Sequence, residues 1–321
     1  MRSAVLFLVF NRPATTRQVF EAIAAARPPR LYVSADGPRA GRPGETELCA
    51  EVRRIATAVD WPCEVRTLFR EENLGCRRAV SGGIDWFFEQ EEEGIIIEDD
   101  VLPVPSFFDY CDELLERYRT DERVGTICGT NLTSNPVDPQ SSYTFSRYSS
   151  VWGWASWRRV WHHYDVEMKS WPEWRDSGGL AKLFSHDHRV ADYFRFYFSQ
   201  TFEHGVNTWD YQLSFLCLRL GLLNAVPVRN QIGNLGVGIA GAHSTEGAAV
   251  PAFILDAPPL LLDFPLRHPP VVAQDLALDD LVDQHVHHMP PSFFWKRRLR
   301  SIPVLGSLLG RGWDLMKGRT H

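Results

Sequence analysis

An apolar run, Gly94-Ile95-Ile96-Ile97, passes without a break into three acids, Glu98-Asp99-Asp100. A segment apolar at every position has no face to offer water. It reads as a strand covered on both sides, and such strands belong to parallel sheets held between helices. Residues 4–10, 31–34, 63–68 and 124–128 carry the same kind of signal. Helical patterns lie between them. Val19, Phe20, Ile23 and Ala24 share a face, and a polar stretch follows to about residue 58. Residues 77–88 place Val80, Ile84, Phe87 and Phe88 on one side. A further helix is expected behind a Ser106 cap, with Phe107, Cys111, Leu114, Leu115 and Tyr118 as its stripe. The alternation predicts an α/β fold with a mostly parallel central sheet flanked by helices. Such sheets bind ligands beyond the carboxyl ends of their strands. Three of those ends are polar here: Asn11-Arg12, Asp36-Gly37 and Glu98-Asp99-Asp100.

With 321 residues, 44% apolar and 23% charged, the chain has ample material for a core and is not a disordered polymer. A net charge of −6 argues against a general nucleic-acid binder, which needs a basic surface. The six cysteines are scattered, which suits free thiols in a reducing, cytoplasmic compartment rather than a disulfide framework. No apolar run approaches the ~20 residues of a membrane-spanning helix, and residues 4–10 read as a first strand rather than a signal peptide. Residues 1–265 are expected to form the domain, with 1–130 and 131–265 as its halves. Residues 266–321 read as a Pro- and His-rich, basic tail in which His285, His287 and His288 are solvated. Within 291–321, Lys296, Arg297, Arg298, Arg300, Arg311, Lys317 and Arg319 face one acid, Asp314. Interleaved with Phe293, Phe294, Trp295 and Trp313, they suggest a peripheral contact with an anionic membrane.

The triple acid suits Mg²⁺ or Mn²⁺, ions commonly held by one or two carboxylates together with substrate phosphates. A nucleotide diphosphate is the natural co-ligand; a solvated acidic turn is the plainer reading. Six tryptophans, from Trp152 to Trp174, crowd 23 residues. Most are expected in the core, with the loop Trp152-Gly153-Trp154 lining a sugar pocket and Gly153 marking a close backbone approach. A Gly-rich stretch, residues 230–238, leads to His243 and suits a lid over phosphates.

The run from Gly94 through Asp100 to Pro103, Pro105 and Phe107-Phe108 resembles the core motif of the N-acetylglucosaminyltransferase I family and its bacterial nucleotide-diphospho-sugar transferase relatives. The likeness extends back to Phe10-Asn11-Arg12-Pro13 and Asp36-Gly37, and forward to Val151-Trp152-Gly153-Trp154, spanning about residues 4–245. It implies the GT-A, Rossmann-like nucleotide-diphospho-sugar transferase fold and an inverting transfer from a UDP-sugar to a hydroxyl acceptor in surface polysaccharide or glycoconjugate synthesis. By the same resemblance, Asp100 is the metal ligand, Asp99 a ribose contact and Glu98 a contact to the donor sugar. Asn11, Arg12, Pro13, Asp36, Gly37 and Arg77 face the nucleotide. His243 is a second candidate metal ligand. In Asn207-Thr208-Trp209-Asp210-Tyr211-Gln212, Asp210 corresponds to the catalytic base, and Trp209 joins Trp152, Gly153 and Trp154 in the donor–acceptor pocket. The spacing leaves Asp176 open as an alternative base. Two other functions stay open, a sugar-phosphate nucleotidyltransferase and a non-catalytic carbohydrate-binding protein.

Overall fold

The computed structural model describes residues 1–131, 133, 140–236 and 258–287. Its first half alternates strand and helix as the apolar runs predict. In order come β1 (Ala4–Val9), α1 (Pro13–Ala26), β2 (Arg30–Ala35), α2 (Glu45–Ala56), β3 (Glu64–Phe69), α3 (Gly75–Gln90), β4 (Glu93–Glu98), β5 (Val101–Pro103), α4 (Pro105–Arg117) and β6 (Val124–Cys128). The second half is less regular: β7 (Tyr143–Ser146), β8 (Trp154–Trp157), α5 (Arg158–Trp161), α6 (Trp171–Asp176), α7 (Gly179–Leu183), α8 (His188–His204), α9 (Asp210–Leu220), β9 (Leu223–Pro227), β10 (Ile232–Asn234) and α10 (Leu276–His285).

Eight strands form one sheet in the order β3-β2-β1-β4-β8-β6-β9-β7. The pairs β3·β2, β2·β1 and β1·β4 are all parallel. β8 runs antiparallel between β4 and β6, and β7 antiparallel on β9. The chain therefore leaves β1 toward β2 and β3 on one side and returns to β4 on the other. That reversal opens a crevice beyond the carboxyl ends of β1 and β4, the general place for a ligand in an open α/β sheet. Burial explains the order. β1 is buried at all six positions and occupies the centre, whereas β3 is largely exposed and forms an edge.

Proline opens two of the helices. Pro13 and Pro105 occupy the first turns of α1 and α4, where a missing N–H costs nothing. The Ser106 cap expected from the sequence is therefore displaced. α4 starts at Pro105, and Ser106 inside it donates its hydroxyl to Gln231 Oε1 at 2.6 Å. The Ser106 hydroxyl oxygen in turn accepts the Leu262 N–H at 3.1 Å.

Two buried clusters hold the molecule. The larger lies on the sheet and includes Trp154, Trp157 and Trp161. The smaller lies under α6–α10 and includes Met168, Trp171, Phe184, Phe194, Phe198 and Phe215. Leu278 and Val282 of α10 belong to this second cluster. The segment 258–287 thus packs across the boundary expected at 265. Ser142 N–H donates to Arg267 O at 2.8 Å, and Asp275 N–H to Phe145 O at 2.7 Å, covering the outer edge of β7. His287, expected in solvent, is buried against Tyr148, Tyr193 and Phe194, because an aromatic pocket accepts its ring. His288 and the basic segment 291–321 lie outside the described residues. No helix among the described residues is long and apolar enough to cross a membrane.

Candidate active site

β1 and β4 end side by side, and the groups after them lock together. Phe10 N–H donates to Asp99 Oδ2 at 3.1 Å. Arg12, immediately before α1, donates through Nη2 to Asp99 Oδ1 at 2.6 Å and through Nη1 to Asp100 Oδ2 at 2.7 Å. One guanidinium thus holds two carboxylates in register, a charge-assisted fork with fixed geometry. The neighbouring acids raise the pKa of Arg12 despite the opposing effect of burial. Asp100 is further framed by its carbonyl, which accepts the Leu235 N–H at 2.7 Å just after β10. β10 itself pairs with β5, so this small sheet lies directly beside the acids.

Glu98 differs from its two neighbours. Among the described residues no hydrogen bond reaches its carboxyl group. Burial, together with Asp100, Asp99 and Asp210, pushes its pKa up to about 8. Burial also raises Asp99, to about 6, against the pull of Arg12. Three acids beside one arginine, with the charge of Asp210 acting on Glu98 as well, leave a local excess of negative charge that a bound cation would relieve.

A cavity of about 300 Å³ opens between these strand ends, lined by Asn11, Arg12, Glu98 and Asp99 and, across from them, by Ser34, Asp36, Asn73, Cys76, Val80 and Asn207. Asp36 borders it but is heavily engaged. Its oxygens accept from Asn73 Nδ2 at 2.9 Å, Leu74 N at 2.9 Å, Gly75 N at 3.1 Å and Gly37 N at 2.9 Å. Asp36 therefore fixes the turn into α3, and Asn73, Gly75 and Cys76 from that turn line the cavity. Gly37 is required beside it, because a Cβ there would lie 2.4 Å from the Glu72 carbonyl carbon. Asn11 donates to Glu45 Oε1 at 2.9 Å, and Arg39 closes on the same carboxylate, which holds the Glu45 pKa down to about 2.

Asp210 is the first residue of α9. Its Oδ1 accepts from the Thr208 hydroxyl and from Tyr211 N–H at 2.9 Å. Its charge raises the proton affinity of Glu98 and of Cys76, which puts it in their neighbourhood, although it does not itself line the cavity. Asp176 is not there. It is 68% exposed on α6 and paired with Arg175 at 2.8 Å.

Arg77 points elsewhere than expected. Its Nη2 donates to Val166 O at 2.6 Å and Glu167 Oε2 at 3.0 Å, and it is not among the cavity-lining residues. Its role in the structure is to tie α3 to the segment before α6. The tryptophan loop also turns inward. Trp154 is 1% exposed and stacks on Trp209 at 5.9 Å. Neither lines the cavity, and Trp152 is half-buried against the core. Gly153 does mark a close approach, to Ile232 of β10: a Cβ there would meet its Cδ1 at 2.5 Å, and the backbone has φ +61°. His243 lies outside the described residues.

Sequence reasoning did not single out Asn73, nor did it give Asn207 a role beyond the motif that contains it. Asn207 Oδ1 accepts the Arg77 N–H at 2.9 Å and its side chain lies against Gly75, so it couples the start of α3 to the loop carrying Asp210. The only available signal was composition, an Asn just before each helix start.

A larger hollow, about 590 Å³, lies at the opposite edge of the sheet, where β1 and β4 begin. Its charges pair with one another: Arg30 with Glu91 at 2.6 Å, Arg119 with Glu93 at 2.7 Å and Arg158 with Glu92 at 2.7 Å. Size alone does not make it a site, since among the described residues it has no acid left without a partner, as Glu98 is in the smaller cavity.

No protein-family model matches the chain, and no curated protein matches it in sequence. Solved structures superpose on part of it, among them the following two. HddC from Yersinia pseudotuberculosis is 10% identical, over 53% of this chain and 86% of that one, with a TM-score of 0.30. S. aureus TarS, residues 1–349, is 11% identical, over 53% of this chain and 52% of that one, with a TM-score of 0.35. At TM-scores this low neither likeness bears on what the chain does.

Proposed function

We propose that the chain is a metal-dependent glycosyltransferase of the GT-A type that moves a sugar from a nucleotide-diphosphate sugar, a UDP-sugar in this reading, to a hydroxyl acceptor. The observation that carries the reading is the meeting of Arg12, Glu98 and Asp99 on the wall of one cavity at the reversal point of the sheet, with Asp100 paired to Arg12 and the charge of Asp210 acting on Glu98 from outside that wall. Excess carboxylate beside one guanidinium suits Mn²⁺ or Mg²⁺ together with a diphosphate. Among the described residues these acids do not form a three-ligand cluster of their own, which fits an ion held by one or two carboxylates and completed by substrate phosphates. Asp100, whose side chain is engaged only through Oδ2 among the described residues, would hold it, with Glu98 beside it as the contact to the donor sugar. The ion, when bound, would neutralise charge building on the leaving diphosphate.

The chain's own residues supply the rest. Arg12 orients Asp99 and Asp100 and adds a positive charge beside the diphosphate. The wall formed by Asn73, Ala79 and Val80 receives the nucleoside. Asp210 takes the acceptor proton as the new bond forms, and a single displacement inverts the sugar carbon. The setting proposed is surface polysaccharide or glycoconjugate synthesis at the inner face of a membrane, on a saccharide or lipid-linked acceptor.

The test is release of free UDP from a panel of UDP-sugars, with Mn²⁺ and with EDTA. UDP release that needs the metal supports the reading. Release of pyrophosphate from UTP and a sugar phosphate would instead identify a nucleotidyltransferase. Binding without either product would identify a carbohydrate-binding protein.

A further inference from the structure

α10 closes the second core cluster and carries a row of acids, Asp275, Asp279, Asp280 and Asp283. Two of these have clear duties. Asp275 caps the helix by accepting the Leu278 N–H at 3.0 Å. Asp279 is buried and pairs with Arg147 at 3.2 Å. Asp280 and Asp283 are different. Three residues apart, they share one face of the helix, and that face looks at His186 in the connection between α7 and α8. One ligand atom from each of His186, Asp280 and Asp283 lies within 4.8 Å of the others.

Asp283 is not a loose surface acid. Its side chain is only 9% exposed. Its Oδ1 accepts from the Tyr148 hydroxyl at 2.5 Å and sits 3.0 Å from His287 Nδ1. Tyr148 and His287 are themselves packed at 4.4 Å in the aromatic cluster. A carboxylate oriented by buried outer groups is how proteins aim a metal ligand. Among the described residues, neither Asp280 nor Asp283 has an arginine or lysine partner; Arg147 is taken by Asp279. Two acids, one of them half-buried, thus face an imidazole with no arginine or lysine beside them.

We propose that His186, Asp280 and Asp283 bind a divalent transition-metal ion of the Zn²⁺ class, which staples α10 to the α7–α8 connection. An imidazole with two carboxylates favours such an ion over Mg²⁺ or Ca²⁺. The edge of a tetrahedron built on ~2.1 Å bonds is about 3.4 Å. His186 and Asp280 are exposed and can rotate to close that distance, while Asp283 stays fixed. Water completes the coordination. The site is distinct from the candidate active site, since none of the three residues lines that cavity.

The full-length protein carrying Asp100→Ala, stripped with EDTA, is titrated with Zn²⁺ and with Co²⁺, so that an ion at the active site does not enter the count. The expected result is one equivalent bound at micromolar concentration or tighter, with visible Co²⁺ absorption and a higher melting temperature with Zn²⁺. His186→Ala and Asp280→Asn alter exposed side chains. Each should weaken binding at least about tenfold and abolish the Zn²⁺-induced rise in melting temperature. His285→Ala should leave both unchanged. Equal binding by His186→Ala and its parent overturns the proposal. So does binding only at millimolar metal, which would mean an adventitious ion only.

Discussion

Asp210 stands at the first position of α9, where the helix dipole and the Tyr211 N–H hold its carboxylate, and Trp209 behind it is buried against Trp154. A base must be held still, as Asp210 is here, and in the proposed role it would also stay off the metal. Asp210→Asn is expected to lower kcat by about 10²–10⁴ while nucleotide affinity stays near normal. Asp176→Asn, on an exposed ion pair, should be fully active. Steady-state UDP release and UDP calorimetry on both variants give the answer, and an active Asp210→Asn sinks the assignment. Glu98 gives a second test, in pH. Its carboxyl loses a proton near 4.5 when unfolded and near 8 when folded. Between those values the folded chain holds the extra proton, so stability falls as pH rises through the window. Glu98→Gln removes the penalty. In metal-free protein it should melt at the parent's temperature near pH 4.5 and above it at pH 8.5, by about 2–4 °C for each kcal/mol relieved. A constant offset at both pH values would show that Glu98 does not titrate as the site requires.

Among the elements, β10 decides how the acids are framed. Among the described residues it pairs only with β5, three residues to three, yet its Ile232 sits in the notch left by Gly153 and its last residue leads to the Leu235 contact on Asp100. Gly153→Ala meets two obstacles at once, a positive φ and a Cβ 2.5 Å from Ile232. The strained backbone alone costs on the order of 1–3 kcal/mol. The variant should unfold at lower denaturant and bind nucleotide more weakly. Adding Ile232→Ala should relieve the clash but not the backbone, so recovery is expected to be partial. Full recovery would mean that φ is not under strain. The strands themselves were legible because period and burial agree: β1, β2 and β4 are apolar on both faces and lie at the centre of the sheet. The residues that close the site were harder to see. Asn73 and Asn207 are ordinary loop residues in sequence and acquire meaning only when Asp36 and the start of α3 bring them to one wall.

For the whole molecule, residues 258–287 close the fold by covering the edge of β7 and completing the second core, so a chain ending at 265 would leave Leu278, Val282 and their aromatic partners unmatched. Beyond that point the sequence carries a basic, aromatic segment, residues 291–321. If it rests on an anionic bilayer, the full chain should sediment with phosphatidylserine vesicles, and weaken with salt, whereas a chain ending at 287 should not. Equal sedimentation of the two would remove the tail from any account of membrane contact.

Local chemistry was enough to determine the parallel α/β layers and the acidic strand end, because a strand buried on both faces and a helix stripe are each written in consecutive residues. The sequence also placed three polar strand ends at one edge of the sheet. Tertiary structure alone decided which charges meet: that Arg12 clamps Asp99 and Asp100 while Glu98 is left without a partner among the described residues, that Arg77 turns away to Glu167, and that the tryptophan loop packs inward. Those outcomes depend on contacts between residues 80 to 130 positions apart, and no period or spacing along the chain encodes which side chain fills a given gap.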